Sequence, residues 1–599
     1  MKKLLNKIIS YVLVLCMILS VVPMQAYAEG ELVISGGLEG IDYTKFGDLI
    51  TVKTSTPLTI SGSTTTRRIE VEANATANVT LNGVNIKVID ASAVKINEGA
   101  TLNLKIEGTN SLTGKKLSTY TYYAGINVPE NATLNISGTG SLEAISLWDY
   151  NGEEQISSVG AGIGANDDYS DTTIIKAGKI NITSGTIKGI GGIGVGGLNA
   201  DITISGGTVT TEKTAQIGLG GESSKIEIID GIVNVGGKVI NYGNESQTLY
   251  TPYALGGENS TVNIKGGAVT AMGGDVGIGG TNSSTTIDGG IVTAKGTRDV
   301  AIGGQRPNIT INDGTVKAFG LNTGIGSEFY NWADEADDSL SVNINGGDIT
   351  AWGGCDFSVD ESDFEEGYDF KYSYDGEYGI GGHFHHEPQA QSIIITGGKI
   401  DAKAGKGGIG SNFDEKIIGN DYYNWESNER FLIKISGGEV NAEATWRGCG
   451  IGGLMNSYDH RTIEITGGTI NAIGREGAGI GGGDCGDGST DRSVIRIGGD
   501  AYIKNAISYS GGAGIGASGS LRDENNENPV GFGGGRIIIE GNAGIGKNTY
   551  SEEGAKSFES GRGASAGIGG SGGGVIKGGT GGYIEINTTG NIRASSIGG

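Results

Sequence analysis

One phrase recurs along most of this chain and limits what it can fold into. It reads ITISGGTVTTEKTAQIGLGG from Ile202, VNIKGGAVTAMGGDVGIGG from Val262, TTIDGGIVTAKGTRDVAIGG from Thr285 and ITINDGTVKAFGLNTGIGS from Ile309, with further copies toward Gly599. Aligning the second apolar residue of each opening triplet puts Ile204, Ile228, Ile264, Ile287, Ile311, Ile344, Ile395, Ile435, Ile465 and Ile497 in one register; the closest copies are 23 or 24 residues apart. Self-similarity at that period implies a stacked array, because a single unit cannot bury its apolar face alone.

Each unit contains three short β-like pieces: Val262 to Ile264, Ala268 to Ala271 and Val276 to Ile278 in the second copy quoted. Alternation puts Val262, Ile264, Val269, Ala271 and Ile278 on one side and Asn263, Thr270 and Met272 on the other. Glycines mark the corners, where a positive φ is needed. Three strands with one apolar face each close only as a coil. The expectation is an all-β, right-handed parallel β-helix (β-solenoid) with three short strands per coil, a narrow Ile/Val/Ala core and loops inserted along one edge. A helical fold is excluded by the 114 glycines, each costing about 1 kcal/mol in a helix interior.

Residues 1–28 read as a secretory signal peptide: Lys2, Lys3 and Lys7, an apolar run from Ile8 to Val22, then Ala26-Tyr27-Ala28 as a small-x-small cleavage site. Leu15 stands where a lipoprotein signal before Cys16 would need a small residue. Removing the peptide takes away three lysines and no acids, so the formal charge moves from −25 to −28. Such a chain repels nucleic acid and anionic membrane, and no membrane insertion is expected of it. Cys355, Cys449 and Cys485 remain, an odd number, and are read as buried or unpaired thiols. Residues 29–160 form divergent N-terminal coils or a cap, and 161–599 the regular GGxVxA…GIGG coils.

Insertions cluster at the corner between the GIGG strand and the next opening triplet, as after Ser327, Ser411, Gly453 and Gly516. A second insertion, rich in Asp, Glu, Phe and Tyr, lies between Gly354 and Gly379. Register places Lys295, Phe319, Trp352, Lys403, Glu443 and Ile473 at successive outward positions. Phe319 and Trp352 are therefore expected as exposed neighbours at the base of the acidic-aromatic insertion, a flat pair suited to stacking on a pyranose ring or to seating the insertion itself. Phe329-Tyr330-Asn331-Trp332 and Tyr422-Tyr423-Asn424-Trp425 repeat one pattern along the loop edge. Tyr330, Asn331, Trp332, Tyr423, Asn424 and Trp425 are thus secondary candidate contacts, with loop anchoring as their other reading.

The section DLITVKTSTPLTISGSTTTRRIEVEANATANVTLNGVNI, followed by ISGGTVTA…GIGG repeats, resembles secreted repeat proteins of Gram-positive bacteria described as carbohydrate-binding or adhesin-like, with a pectate-lyase-like β-helix. That resemblance implies an extracellular, secreted or cell-wall-associated protein whose partner is a polysaccharide or glycan surface. The residues themselves bring no carboxylate cluster and base together at the outward positions of consecutive coils, so the chain is read as non-catalytic. A polysaccharide lyase or hydrolase and a structural stalk are the other readings.

Three glycine-rich matches are rejected: Gly541–Lys547 is followed by Asn548 where a phosphate loop has Ser or Thr, Gly189–Gly194 fits a dinucleotide fingerprint only because glycine is so frequent, and Gly563–Gly567 lacks the strand-to-helix turn of a hydrolase elbow. No cofactor is implied. Calcium is the one ion that the acidic surface leaves open, and the metal question at His383, His385, His386 and Glu387 or near Asp484 and Asp487 stays unknown. Because Ile597-Gly598-Gly599 repeats a mid-array phrase, further C-terminal repeats or a wall anchor are expected beyond it.

Overall fold

The structure, a computed structural model, describes residues 31–598 apart from 118–119, 151–152, 157–158, 169–175, 213, 240–248, 328–338, 359–369, 374–375, 385–390, 414–430, 454–460, 483–492, 510–511, 518–534, 552–565 and 571–581. The signal peptide, Tyr330, Asn331, Trp332, Tyr423, Asn424, Trp425, His385, His386, Glu387, Cys485 and the acidic pair Asp484 and Asp487 lie outside the described residues.

The described residues form strands and turns, without a helix. A typical coil consists of Thr261–Ile264, Ala268–Gly273 and Val276–Gly279, and the next of Ser284–Ile287, Ile291–Gly296 and Val300–Gly304. Each strand pairs in parallel with its counterpart one coil on. The expected β-solenoid is therefore the fold. All ten isoleucines from Ile204 to Ile497 stand in one continuous register, each fully buried. A buried isoleucine contributes about 1.5–3 kcal/mol, so one row alone is a large part of the driving force.

Glycine decides how closely the third strands stack. Gly326 (φ +142°) and Gly381 (φ +148°) occupy a backbone region that L side chains rarely adopt. A Cβ on Gly326 would overlap the carbonyl oxygen of Gly381, and one on Gly381 that of Gly410. Neighbouring core positions compensate in size: Tyr378 is fully buried, its partner one coil on is Gly407, and a Cβ on Gly407 would overlap the Tyr378 ring.

Stacking already begins in the divergent section. Val33–Ser35 lies antiparallel on Leu58–Thr64, and Tyr43–Phe46 folds back on Leu49–Val52, so the first coils have an antiparallel covering. The long strand Thr76–Ile89 then serves both the first and second rows. At the other end Ile586 and Ile597 are 41% and 52% exposed, whereas Ile539 and Ile568 one coil earlier are fully buried.

Outside the core, polar ladders hold the register. Asn103 donates to Asn78 at 2.8 Å, Asn135 to Asn103 at 2.8 Å and Asn181 to Asn135 at 2.7 Å. Lys188 bridges Glu143 at 3.5 Å and Glu212 at 3.2 Å on the coils to either side. Exposed pairs of this kind contribute a few tenths of a kcal/mol each. Cys355 and Cys449 are buried, as expected, and Cys449 Sγ accepts a hydrogen bond from the Ala478 N–H at 3.2 Å.

Two substitutions test this packing. Ile311→Asp should cost more than about 4 kcal/mol by burying a charge without a partner, and Gly381→Ala at least about 1–3 kcal/mol through strain and overlap. Thermal melting and limited proteolysis would report both; wild-type melting of either variant would contradict the register.

Candidate functional site

The outward row Met272, Lys295, Phe319, Trp352, Lys403, Glu443, Ile473 is in register as the repeat alignment requires. What the rings do differs from the expected flat, exposed pair. Phe319 is 4% exposed and packs with the fully buried Cys355 and Phe370. Its ring stands at 71° to Trp352, with centroids 5.9 Å apart. The cause is the insertion after Gly354, whose short hairpin pairs Cys355–Asp356 with Lys371–Tyr372 and folds Phe357 and Phe370 over the row. Phe319 is thus the seat of that hairpin, because covering a ring with four apolar neighbours removes more surface from water than leaving it for a ligand.

Trp352 remains half-buried at the edge of this cluster. Its Nε1–H donates to Asp401 Oδ2 at 3.0 Å, and its ring lies edge-on to Phe370 and Tyr372, each 6.4 Å away between centroids. Lys403 Nζ sits 5.4 Å from the Trp352 ring and 4.7 Å from the Tyr372 ring, within cation–π range. Lys295 Nζ is 5.9 Å from the Phe357 ring. Lys399 is in register with Glu439 and Lys403 with Glu443, and Asn471 donates to Asn441 at 3.3 Å. Asp401, by contrast, is drawn to the indole.

These groups occupy the corner between the second and third strands. The same corner holds a row of charged groups, of which Glu377 and Asp299 are buried and Asp275 is partly exposed. Glu377 is 4% exposed and pairs with Lys406, Asp299 is 5% exposed and accepts from Asn322 at 3.1 Å, and Asp275 meets Arg298 at 2.9 Å. Burial pushes the Asp275 carboxyl above its ordinary value, and Arg298 only partly offsets this.

Earlier along the rod this corner carries another aromatic group. Ala144, two coils before Thr211, stands in the row that later contains Ala351, and the strand Ser141–Tyr150 runs on past it into a hairpin with Glu153–Ile156. There Trp148 lies 6.1 Å from Tyr122, Lys116 Nζ is 3.6 Å above the Tyr122 ring, and Lys115 pairs with Asp149 at 3.0 Å and Glu154 at 3.1 Å. Sequence reading passed over Trp148, Tyr372 and Trp446. The signal for Trp446 was present: it stands four residues past the inward Ala442, where other coils have Asp275, Arg298, Asn322 and Lys406. Tyr372 had no such signal, since its place depends on how the hairpin folds.

Among the described residues no group of three or more His, Cys, Asp or Glu side chains is placed to hold a metal ion. The fold and this corner define a long parallel β-solenoid with an aromatic, cation-bordered edge. Comparison with family models, curated proteins and solved structures finds no match to this chain.

Asp275 provides a pH test. A carboxyl raised in the folded state favours its protonated form there, so its contribution is present below the ordinary value of about 3.9 and is lost as pH rises through the folded value. Asp275→Asn, which keeps the neutral form at every pH, should melt close to wild type near pH 3.5 and above it at pH 7. Equal melting at both values would show that the burial of this carboxyl is inconsequential.

Proposed function

We propose that this chain is a secreted or cell-surface β-solenoid that binds carbohydrate without catalysis, through the corner bearing Trp352. The observation that carries the reading is the state of Trp352. Its pyrrole N–H is engaged by Asp401, its edge is held by Phe319, Phe370 and Tyr372, and part of its surface stays in solvent. A ring fixed in this way loses little conformational freedom on binding, which favours stacking against the C–H face of a sugar. Lys403 and the Tyr372 hydroxyl stand beside it as hydrogen-bonding groups for sugar hydroxyls. The signal-peptide pattern and the acidic charge support the extracellular setting. Tyr330, Asn331, Trp332, Tyr423, Asn424 and Trp425 remain candidate contacts, while Phe319 belongs to the support beneath Trp352.

Retention of the mature chain on a panel of immobilised polysaccharides tests the proposal. Trp352→Ala should weaken retention roughly five- to tenfold, the value of one aromatic stack. Phe370→Ala, which would leave a cavity beneath the hairpin, should cost about 3–5 kcal/mol of stability if the insertion and coil unfold together. A wild-type chain retained on no polysaccharide, or a Trp352→Ala variant retained as well as wild type, would sink the reading.

A further inference from the structure

Tyr372 reaches along the rod as well as across it. Its ring meets Trp352, while its hydroxyl lies 3.2 Å from Thr445 Oγ1, on the second coil beyond Trp352. The next residue, Trp446, is half-buried, and the Arg447 guanidinium carbon sits 4.2 Å from its ring centroid. Arg447 Nε is in turn 3.9 Å from Glu476 Oε2. The backbone N–H groups of Thr445 and Trp446 donate to the carbonyls of Ala404 and Gly405, at 2.8 and 2.9 Å, which fixes Trp446 at the same corner as Trp352. Two coil steps of about 4.8 Å place these tryptophans roughly 10 Å apart along the axis. Tyr372 and Lys403 lie in the interval.

We infer that Trp446 is a second stacking contact, and that the ligand is an uncharged, unbranched glycan chain lying parallel to the rod axis from Trp352 across Tyr372 to Trp446. This rests on the carbohydrate reading of the Trp352 corner and adds direction, length and charge class to it. Direction follows from the coil stacking: the two indoles are displaced along the axis at one corner. Length follows from their separation, which a single sugar cannot span. The charge class follows from the local charge balance, since Arg447 is set against Glu476, Lys406 pairs with Glu377 and Lys403 stands in register with Glu443 on the next coil. The whole chain carries −25. A polyanion would meet net repulsion from such a chain, whereas a neutral glycan would not.

The test is titration of the mature protein with gluco- and manno-oligosaccharides of one to six units, in parallel with oligogalacturonides of the same lengths. Wild type should gain about tenfold in affinity between one and four neutral units, as a second stacking contact is added. Trp446→Leu, which keeps an apolar side chain but no ring, should remove most of that gain. Trp352→Ala should lower affinity at every length. Melting curves check that each variant folds; if Trp446→Leu does not, Trp446→Phe should reduce the gain in part. A Trp446 variant with an undiminished length dependence overturns the track while leaving the Trp352 proposal standing. Tighter binding of the galacturonides overturns the charge class. Failure of wild type to bind any of these sugars removes the carbohydrate reading, and this inference with it.

Discussion

The close parallel stacking of the third strands is the constraint on which the rest of this molecule depends. At Gly303, Gly326 and Gly381 the backbone of one coil comes so near the carbonyl of the next that a Cβ has no room. The same residues adopt φ values of +139°, +142° and +148°. Together these two requirements leave glycine as the fitting residue, coil after coil. The isoleucine row and the alanine row stack in step with it, each on its own parallel ladder. Side chains then contribute through size matching, as where Tyr378 fills the space left by Gly407.

A rigid ladder of this kind turns corners into positions of known spacing. Residues that leave the coil do so without disturbing its core, so insertions carry the variation. At the corner after the second strand, the hairpin from Cys355 to Tyr372 brings its own apolar side chains and covers Phe319 with Phe370. Trp352 is left as the boundary between that small cluster and solvent. Its position reflects a balance: enough packing to fix the ring, and enough exposure to leave part of it free. The charged groups nearby obey the same logic, with Glu377 and Asp299 buried but partnered and Lys403 set against aromatic faces.

Legibility from sequence followed the range of the interactions. The ten-isoleucine register, the outward row and the buried Cys449 beside Ala478 were readable because each depends on the repeat period and on strand alternation. Phe319 was placed on the right row but in the wrong environment. Period-two alternation says which way a side chain points from its strand, and nothing about what folds over it. Trp446 could have been found by offset from Ala442, whereas Tyr372 could not, since its contact with Thr445 crosses 73 residues of chain.

By itself, then, the sequence determined the solenoid, its three-strand coil, its register and the row on which Phe319 and Trp352 stand, because glycine corners and apolar alternation are local properties repeated many times. The tertiary structure decided which ring is covered and which stays open, how Trp352 is tethered to Asp401, and how Tyr372 joins the coil of Trp352 to that of Trp446. Those outcomes depend on a hairpin that lies outside the repeat. Its fold is set by contacts with neighbouring coils, and no periodicity in the chain encodes them.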